Sequence, residues 1–204
     1  MIPVIFRSLL LLSLVVPAFA GAAQNVLIFG DSLSAGFGIG AEQGWPSLLA
    51  KRLAAQRPGY AVANASISGE TTAGGRSRLS AALDRFQPAV VVIALGANDG
   101  LRGLPVKQMQ ANLAAMIRTA RATHARVLLV GMKLPPNYGS DYTAAFEDAY
   151  RSIARQEKVP LLPFLLEPVA FDLANFQPDG VHPTAAAQPR ILDHVWSALA
   201  PLLK

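Results

Sequence analysis

The chain contains no cysteine among its 204 residues. That excludes disulfide staples, a thiolate nucleophile and any thiolate-held metal. Histidine is almost as scarce, so imidazole chemistry must fall on His124, His182 or His194. No block of like charge is present, and the net charge of +5 is a scattered excess. The densest basic group is Arg118, Arg121 and Arg126, with no aromatics interleaved, so no nucleic acid partner is expected. No apolar run reaches the roughly 20 residues that a membrane span requires. Past the first 20 residues there is no linker-like stretch rich in Pro, Gly and Ser, and no internal repeat. One domain over 21–204 is therefore expected, large enough to bury a core without staples.

The opening segment reads as a removable leader. One positive charge, Arg7, precedes a Leu- and Val-rich run over 8–16, which Pro17 breaks. Ala18-Phe19-Ala20 fits the small-x-small pattern of a secretory cleavage site. A signal peptide over 1–20 is expected, cut after Ala20 or two or three residues later. The protein is then exported, to the periplasm or beyond, with no stable membrane anchor and no cysteine to take a lipid. Export permits disulfides but does not require them.

Downstream, strand-like and helix-like segments alternate. Strands are predicted over 26–29, 60–63, 89–95, 127–130 and 159–163. The run over 89–95 is almost all Val and Ile, so both of its faces must be covered. Helices are predicted over 45–56, 76–86, 106–123 and 141–156. A last helix carries Ile191, Val195, Ala198 and Leu202, its start left open by Pro189. This alternation predicts an α/β protein with three α/β/α layers around a five-stranded parallel sheet. In such sheets ligands bind beyond the carboxyl ends of the strands, so the loops that follow strands are the informative ones.

Ser32 stands directly after the first strand, in Gly30-Asp31-Ser32-Leu33-Ser34. A serine hydroxyl stays protonated at neutral pH and needs an adjacent base to attack. His124 closes a helix, where a cationic ring suits the dipole. His194 sits within the terminal amphipathic helix. Only His182 lies in a loop beside an acid, in Asp179-Gly180-Val181-His182-Pro183. Asp179 there can fix the imidazole tautomer and stabilise the imidazolium. Asp-Gly is also a common turn pair, so a plain reversal is the competing reading. Attack on a carbonyl creates an oxyanion that needs fixed donors. The Gly69 N–H, the Asn98 side-chain amide and the N–H of Ser32 are the candidates.

Other devices fit poorly. Ser34 stands where a Gly-x-Ser-x-Gly elbow needs its second glycine. Gly36-Phe37-Gly38-Ile39-Gly40-Ala41 matches a loose dinucleotide fingerprint but starts too far from the strand, and no acid ends the second strand. A metal site built from Asp179, His182 and His194 lacks ligand spacing. No metal and no cofactor are expected.

Taken in order, four loops resemble the sequence blocks of the SGNH (GDSL) hydrolase superfamily. They are Gly30-Asp31-Ser32-Leu33-Ser34, Gly69, Gly96-Ala97-Asn98-Asp99 and Asp179-Gly180-Val181-His182-Pro183. Residues 64–71 and 98–103 look like the small exported branch of thioesterase I, lysophospholipase and arylesterase enzymes. Ala97 departs from the second glycine of some members. The resemblance implies a flavodoxin-like SGNH hydrolase fold, with Ser32 as nucleophile, His182 as base and Asp179 as the orienting acid. It also implies an oxyanion hole of Ser32, Gly69 and Asn98. The expected substrate is a small acyl ester or thioester, cleaved by a monomer.

A groove for short to medium acyl chains is expected beside His182. Phe164 and Phe176 of the long apolar loop would line one side, with Leu101, Leu104 and Pro105 opposite. Arg102 could meet an anionic head group. Two rival readings stay open: a carbohydrate O-acetyl esterase of the same superfamily, and a silent lipid-binding module on the same layers.

Overall fold

The computed structural model describes residues 23–204, so the expected leader over 1–20 lies outside the described residues. Five parallel strands form one sheet in the order β2-β1-β3-β4-β5. They are β1 (Gln24–Gly30), β2 (Tyr60–Asn64), β3 (Pro88–Ala94), β4 (Arg126–Val130) and β5 (Leu161–Leu162). The main helices are α1 (Ser32–Ala35), α2 (Trp45–Gln56), α3 (Thr72–Phe86), α4 (Ala97–Leu101), α5 (Val106–Ala122), α6 (Ser140–Glu157) and α7 (Gln188–Leu199). This strand order is the flavodoxin-like one, whose direction reverses on either side of β1 and β3.

Strand side chains alternate between the two faces. Val26, Ile28, Val90, Val92, Leu128 and Val130 pack on α2 and α7, through Leu49, Leu53, Ile191 and Val195. Leu27, Phe29, Val91, Ile93, Val127 and Leu129 pack on the other side against α3, α5 and α6, through Leu79, Leu113, Ile117 and Phe146. Both faces are therefore apolar, which explains the unbroken Val/Ile run of β3. Each such buried side chain contributes roughly 1.5–3 kcal/mol.

Three boundaries differ from the sequence reading, each for a local reason. The α3 helix starts at Thr72 rather than at residue 76, with Thr71 as its cap. Gly74 and Gly75 look like breakers, yet a Cβ on Gly75 would collide with Leu95, so glycine lets this helix start press onto the end of the β3 segment. The β5 strand keeps only two residues because Pro160 and Pro163 flank it and donate nothing to a ladder. The α7 helix takes Pro189 into its first turn and stops at Leu199, with a 3-10 turn over Ala200–Leu202. Its fully buried stripe is Ile191, Leu192, Val195 and Leu199, with Ala198 and Leu202 partly buried against the same core.

The basic group is consumed locally. Arg118 pairs with Glu157 at 2.5 Å, Arg121 donates to the Glu157 carbonyl, and Arg126 donates to the Ala89 carbonyl. Among the described residues no helix is long and apolar enough to cross a membrane.

Candidate active site

The β1 and β3 strands are hydrogen-bonded neighbours, with Gly30 beside Ala94. Their carboxyl ends therefore place Ser32 and Asn98 together. The β2 strand lies on the other side of β1, which adds the loop holding Gly69. That loop is tied to the first by Ser66, whose Oγ accepts the Gly30 N–H at 3.1 Å, and by Asn64, whose amide donates to the Ser34 carbonyl at 2.9 Å.

Asp31 caps the short α1 helix by accepting the Leu33 N–H, which turns the chain sharply and presents Ser32. Asp31 is 2% exposed. Burial raises its pKa from 3.8 to about 6, only partly offset by the Leu33 hydrogen bond and the nearby His182.

The fourth loop comes from beyond β5 and must travel back across the sheet end. A hairpin delivers it. Phe176 and Pro183 form an antiparallel bridge, and Gln177 donates its N–H to the His182 carbonyl at 2.8 Å. Within the hairpin Gly180 donates to the Gln177 carbonyl, so the Asp-Gly turn and the acid-base pairing coexist. Asp179 Oδ1 accepts the backbone N–H groups of Val181 and His182, and Oδ2 lies 2.7 Å from His182 Nδ1. The His182 backbone bond, then the ring bond, then that of Val181 hold the Asp179 carboxyl down at about 2. The other ring nitrogen, Nε2, is 2.8 Å from Ser32 Oγ. Phe37 packs on the imidazole with centroids 4.5 Å apart, and Gln177 pins the Phe37 loop by donating to its carbonyl at 2.8 Å.

Gly69 and Asn98 line one cavity with Ser32 and His182, about 180 Å³ in volume. Among the described residues the N–H groups of Ser32 and Gly69 have no backbone or side-chain acceptor. Asn98 Nδ2 donates to the Glu70 carbonyl at 3.0 Å and makes only a long 3.4 Å contact with Asp31 Oδ2. Gly96 precedes this residue with φ of 118°, and a Cβ there would collide with the Tyr150 hydroxyl. Tyr150 is needed at that spot, because its hydroxyl donates to the Leu95 carbonyl at 3.0 Å. Burial pushes that phenol well above its ordinary pKa, so it remains a donor.

An apolar groove leads away from Ser32. The first cavity shares Ala97, Leu101, Met132 and Val181 with a second of about 110 Å³. The second shares Met132, Leu134, Leu166 and Phe176 with a third of about 490 Å³, which Phe164, Phe171 and Leu173 also line. Leu101 lines the first two of these cavities, Phe176 the second and third, and Phe164 the third. Leu104 and Pro105 line none of these three cavities, which corrects the sequence reading. The chain turns away after α4, with the Leu104 N–H bonded back to the Asp99 carbonyl and its own carbonyl taken by Tyr142 at 2.8 Å. Arg102 donates to the Gly69 carbonyl at 2.9 Å and so braces the loop that holds Gly69. His194 is held by the Phe164 carbonyl at 3.0 Å, in packing rather than at the site. Sequence reasoning missed Asp31, Phe37, Met132 and Val181. The glycines around Phe37 and the position of Val181 beside His182 were the signals available for two of them.

The GDSL-like lipase/acylhydrolase family model matches residues 28–189. Esterase TesA of Pseudomonas aeruginosa is 53% identical over 200 residues, covering 97% of this chain and all of the relative. Thioesterase 1/protease 1/lysophospholipase L1 of Escherichia coli K12 is 42% identical over 184 residues, covering 90% of this chain and 87% of the relative. The crystal structure of TesA superposes with a TM-score of 0.86 at 54% identity, covering 88% of this chain and 100% of that one. With the fold, the four strand-end loops and these likenesses in agreement, the chain belongs to the GDSL-like lipase/acylhydrolase family, and so to the SGNH hydrolases.

Proposed function

We propose that this enzyme hydrolyses acyl esters and thioesters with Ser32 as nucleophile, His182 as general base and Asp179 as the acid that orients the base. The single observation that carries the assignment is the unbroken relay from Asp179 through the imidazole to Ser32 Oγ, at 2.7 and 2.8 Å. Ser32 Oγ attacks the acyl carbonyl carbon as His182 Nε2 takes its proton. The imidazolium that forms is stabilised by Asp179, whose low pKa keeps it anionic. The carbonyl electrons move onto oxygen, where the N–H groups of Ser32 and Gly69 and the Asn98 amide receive them. Collapse expels the alcohol or thiol, which takes the proton from His182, and leaves an acyl-serine. Water repeats the sequence, releasing the carboxylic acid and restoring the hydroxyl. Binding a small-molecule substrate of this kind needs no partner chain, and we take the working unit to be a monomer.

The apolar walls of Leu101, Met132 and Val181 favour an acyl chain over an acetylated sugar. The likeness to a thioesterase/lysophospholipase extends the proposal from oxygen esters to thioesters. The leader pattern over 1–20 supports export before residues 21–204 act as one domain, and amino-terminal sequencing of the exported protein checks that.

A fluorophosphonate probe, followed by peptide mapping, tests the chemistry. The label should fall on Ser32, and turnover of p-nitrophenyl esters, acyl-CoA and lysophospholipid should cease with it. Labelling elsewhere, or full turnover after Ser32 is blocked, overturns the assignment.

A further inference from the structure

Besides the Ser32 N–H, the oxyanion donors come from two further segments, the Gly69 loop and α4, which nothing in the chain's connectivity holds in register with each other. Beside them lies a buried polar cluster that the chemistry above does not use. Asp99 follows Asn98 and is 4% exposed. Its Oδ2 accepts the Thr72 N–H at 2.8 Å, and its Oδ1 accepts the Thr72 hydroxyl at 2.5 Å. Asn112, on α5, donates its amide to the same Thr72 oxygen at 3.1 Å, and Arg76 donates to the Asn112 amide oxygen at 3.2 Å. Thr72 is fully buried and Asn112 is 5% exposed.

A carboxylate removed from water is costly unless its oxygens are paired. Here both are paired, and to a single residue, which makes the contact a two-point clamp with little rotational freedom. The Thr72 N–H belongs to the first turn of α3, where it lacks a helical partner and where an anion suits the dipole. The clamp closes three residues beyond Gly69 and one residue beyond Asn98. A second link runs in parallel, from the Asn98 amide to the Glu70 carbonyl at 3.0 Å. An apolar pair at 72 and 99 would fill the space but let α4 slide along α3, because apolar contacts carry no direction. A displacement of about 1 Å at such donors costs on the order of 10²-fold in rate.

We propose that Asp99, clamped on Thr72, is a positioning residue of the oxyanion hole that sets the separation of the Asn98 amide from the Gly69 N–H. The inference rests on the reading of Asn98 as an oxyanion donor.

A double-mutant cycle on the full enzyme, with p-nitrophenyl butyrate as substrate, decides it. Asp99→Asn should lower kcat roughly 10–100-fold with KM within about twofold. In an Asn98→Ala background the same change should lower kcat by less than about threefold, since the donor it positions is gone. Thr72→Val covers the case in which Asp99→Asn fails to fold: it should lower kcat by about tenfold at unchanged KM, and Thr72→Ser should restore most of it. The proposal is overturned if Asp99→Asn or Thr72→Val costs the same factor with or without Asn98, or if both lower the melting temperature and leave kcat intact. An Asn98→Ala enzyme with normal kcat would instead remove the oxyanion reading itself, and this inference with it.

Discussion

His182 Nε2 lies 2.8 Å from Ser32 Oγ across a sequence separation of 150 residues. Two distant segments meet there: β1 delivers the serine, and a hairpin past β5 delivers the imidazole. Everything proposed about chemistry depends on that hairpin holding its shape.

Replacing Ser32 with Ala removes one oxygen from a half-buried position and should leave the fold unchanged. Hydrolysis of p-nitrophenyl butyrate should drop to background while the melting temperature moves by less than about 2 °C. Residual turnover near the parent rate would show that another group attacks.

Asn98→Ala deletes the side-chain donor of the proposed oxyanion hole. We expect kcat to fall by roughly 10²–10³-fold with KM nearly constant, because the lost bond strengthens only as charge develops on oxygen. A rise in KM at constant kcat would mean that Asn98 binds substrate rather than the transition state.

Asp179→Asn keeps the one oxygen that both backbone N–H groups share but loses the anion behind the imidazole. A fully buried triad acid is worth about 10⁴-fold in kcat. Asp179 has a side chain 39% exposed, so water can replace part of its effect. The expected loss is about 10²–10³-fold, read from kcat on a short ester. Wild-type activity from Asp179→Asn would reduce the residue to a turn former.

Asp31 makes stability depend on pH in an unusual direction. Its folded pKa, about 6, lies above the unfolded value of 3.8. Between these values the folded state holds the proton more tightly, so stability falls as pH rises, and above 6 the full penalty of the buried charge is present. That penalty is on the order of 3 kcal/mol. Asp31→Asn, which cannot ionise, should therefore gain melting temperature relative to the parent more at pH 8 than at pH 4. A difference between the two proteins that stays constant with pH would show that Asp31 is not the source.

Met132 is the one residue, among the described residues, that lines all three cavities of the groove. Met132→Trp should fill the passage. Hydrolysis of decanoyl and dodecanoyl esters should fall at least tenfold more than that of the butyrate ester, as each excluded CH₂ forfeits about 0.8 kcal/mol of burial. Equal loss at every chain length would place the acyl chain elsewhere.

Layering was legible in the sequence because a strand buried on both faces has to be apolar throughout, as β3 is. The proposed reactive groups could be picked out because a serine after a strand and an acid three residues before a loop histidine are chemically matched. Leu104 and Pro105 misled because apolar character beside Asn98 does not say which way the chain turns after α4. Asp31 gave no warning because its sequence context is that of any cap; only its 2% exposure makes it unusual.

Local chemistry is written in the residue order: which side chains alternate, which turn, which can lose or accept a proton. From that order alone follow the α/β layers, the absence of thiol chemistry and the choice of Ser32, His182 and Asp179 as the proposed reactive groups. What the order does not contain is distance between segments. Strand adjacency, β2 beside β1 beside β3, brings three loops to one edge, and the return hairpin from Phe176 to Pro183 brings the fourth. Those separations are fixed by packing over the whole sheet, a long-range property that no short stretch of sequence carries.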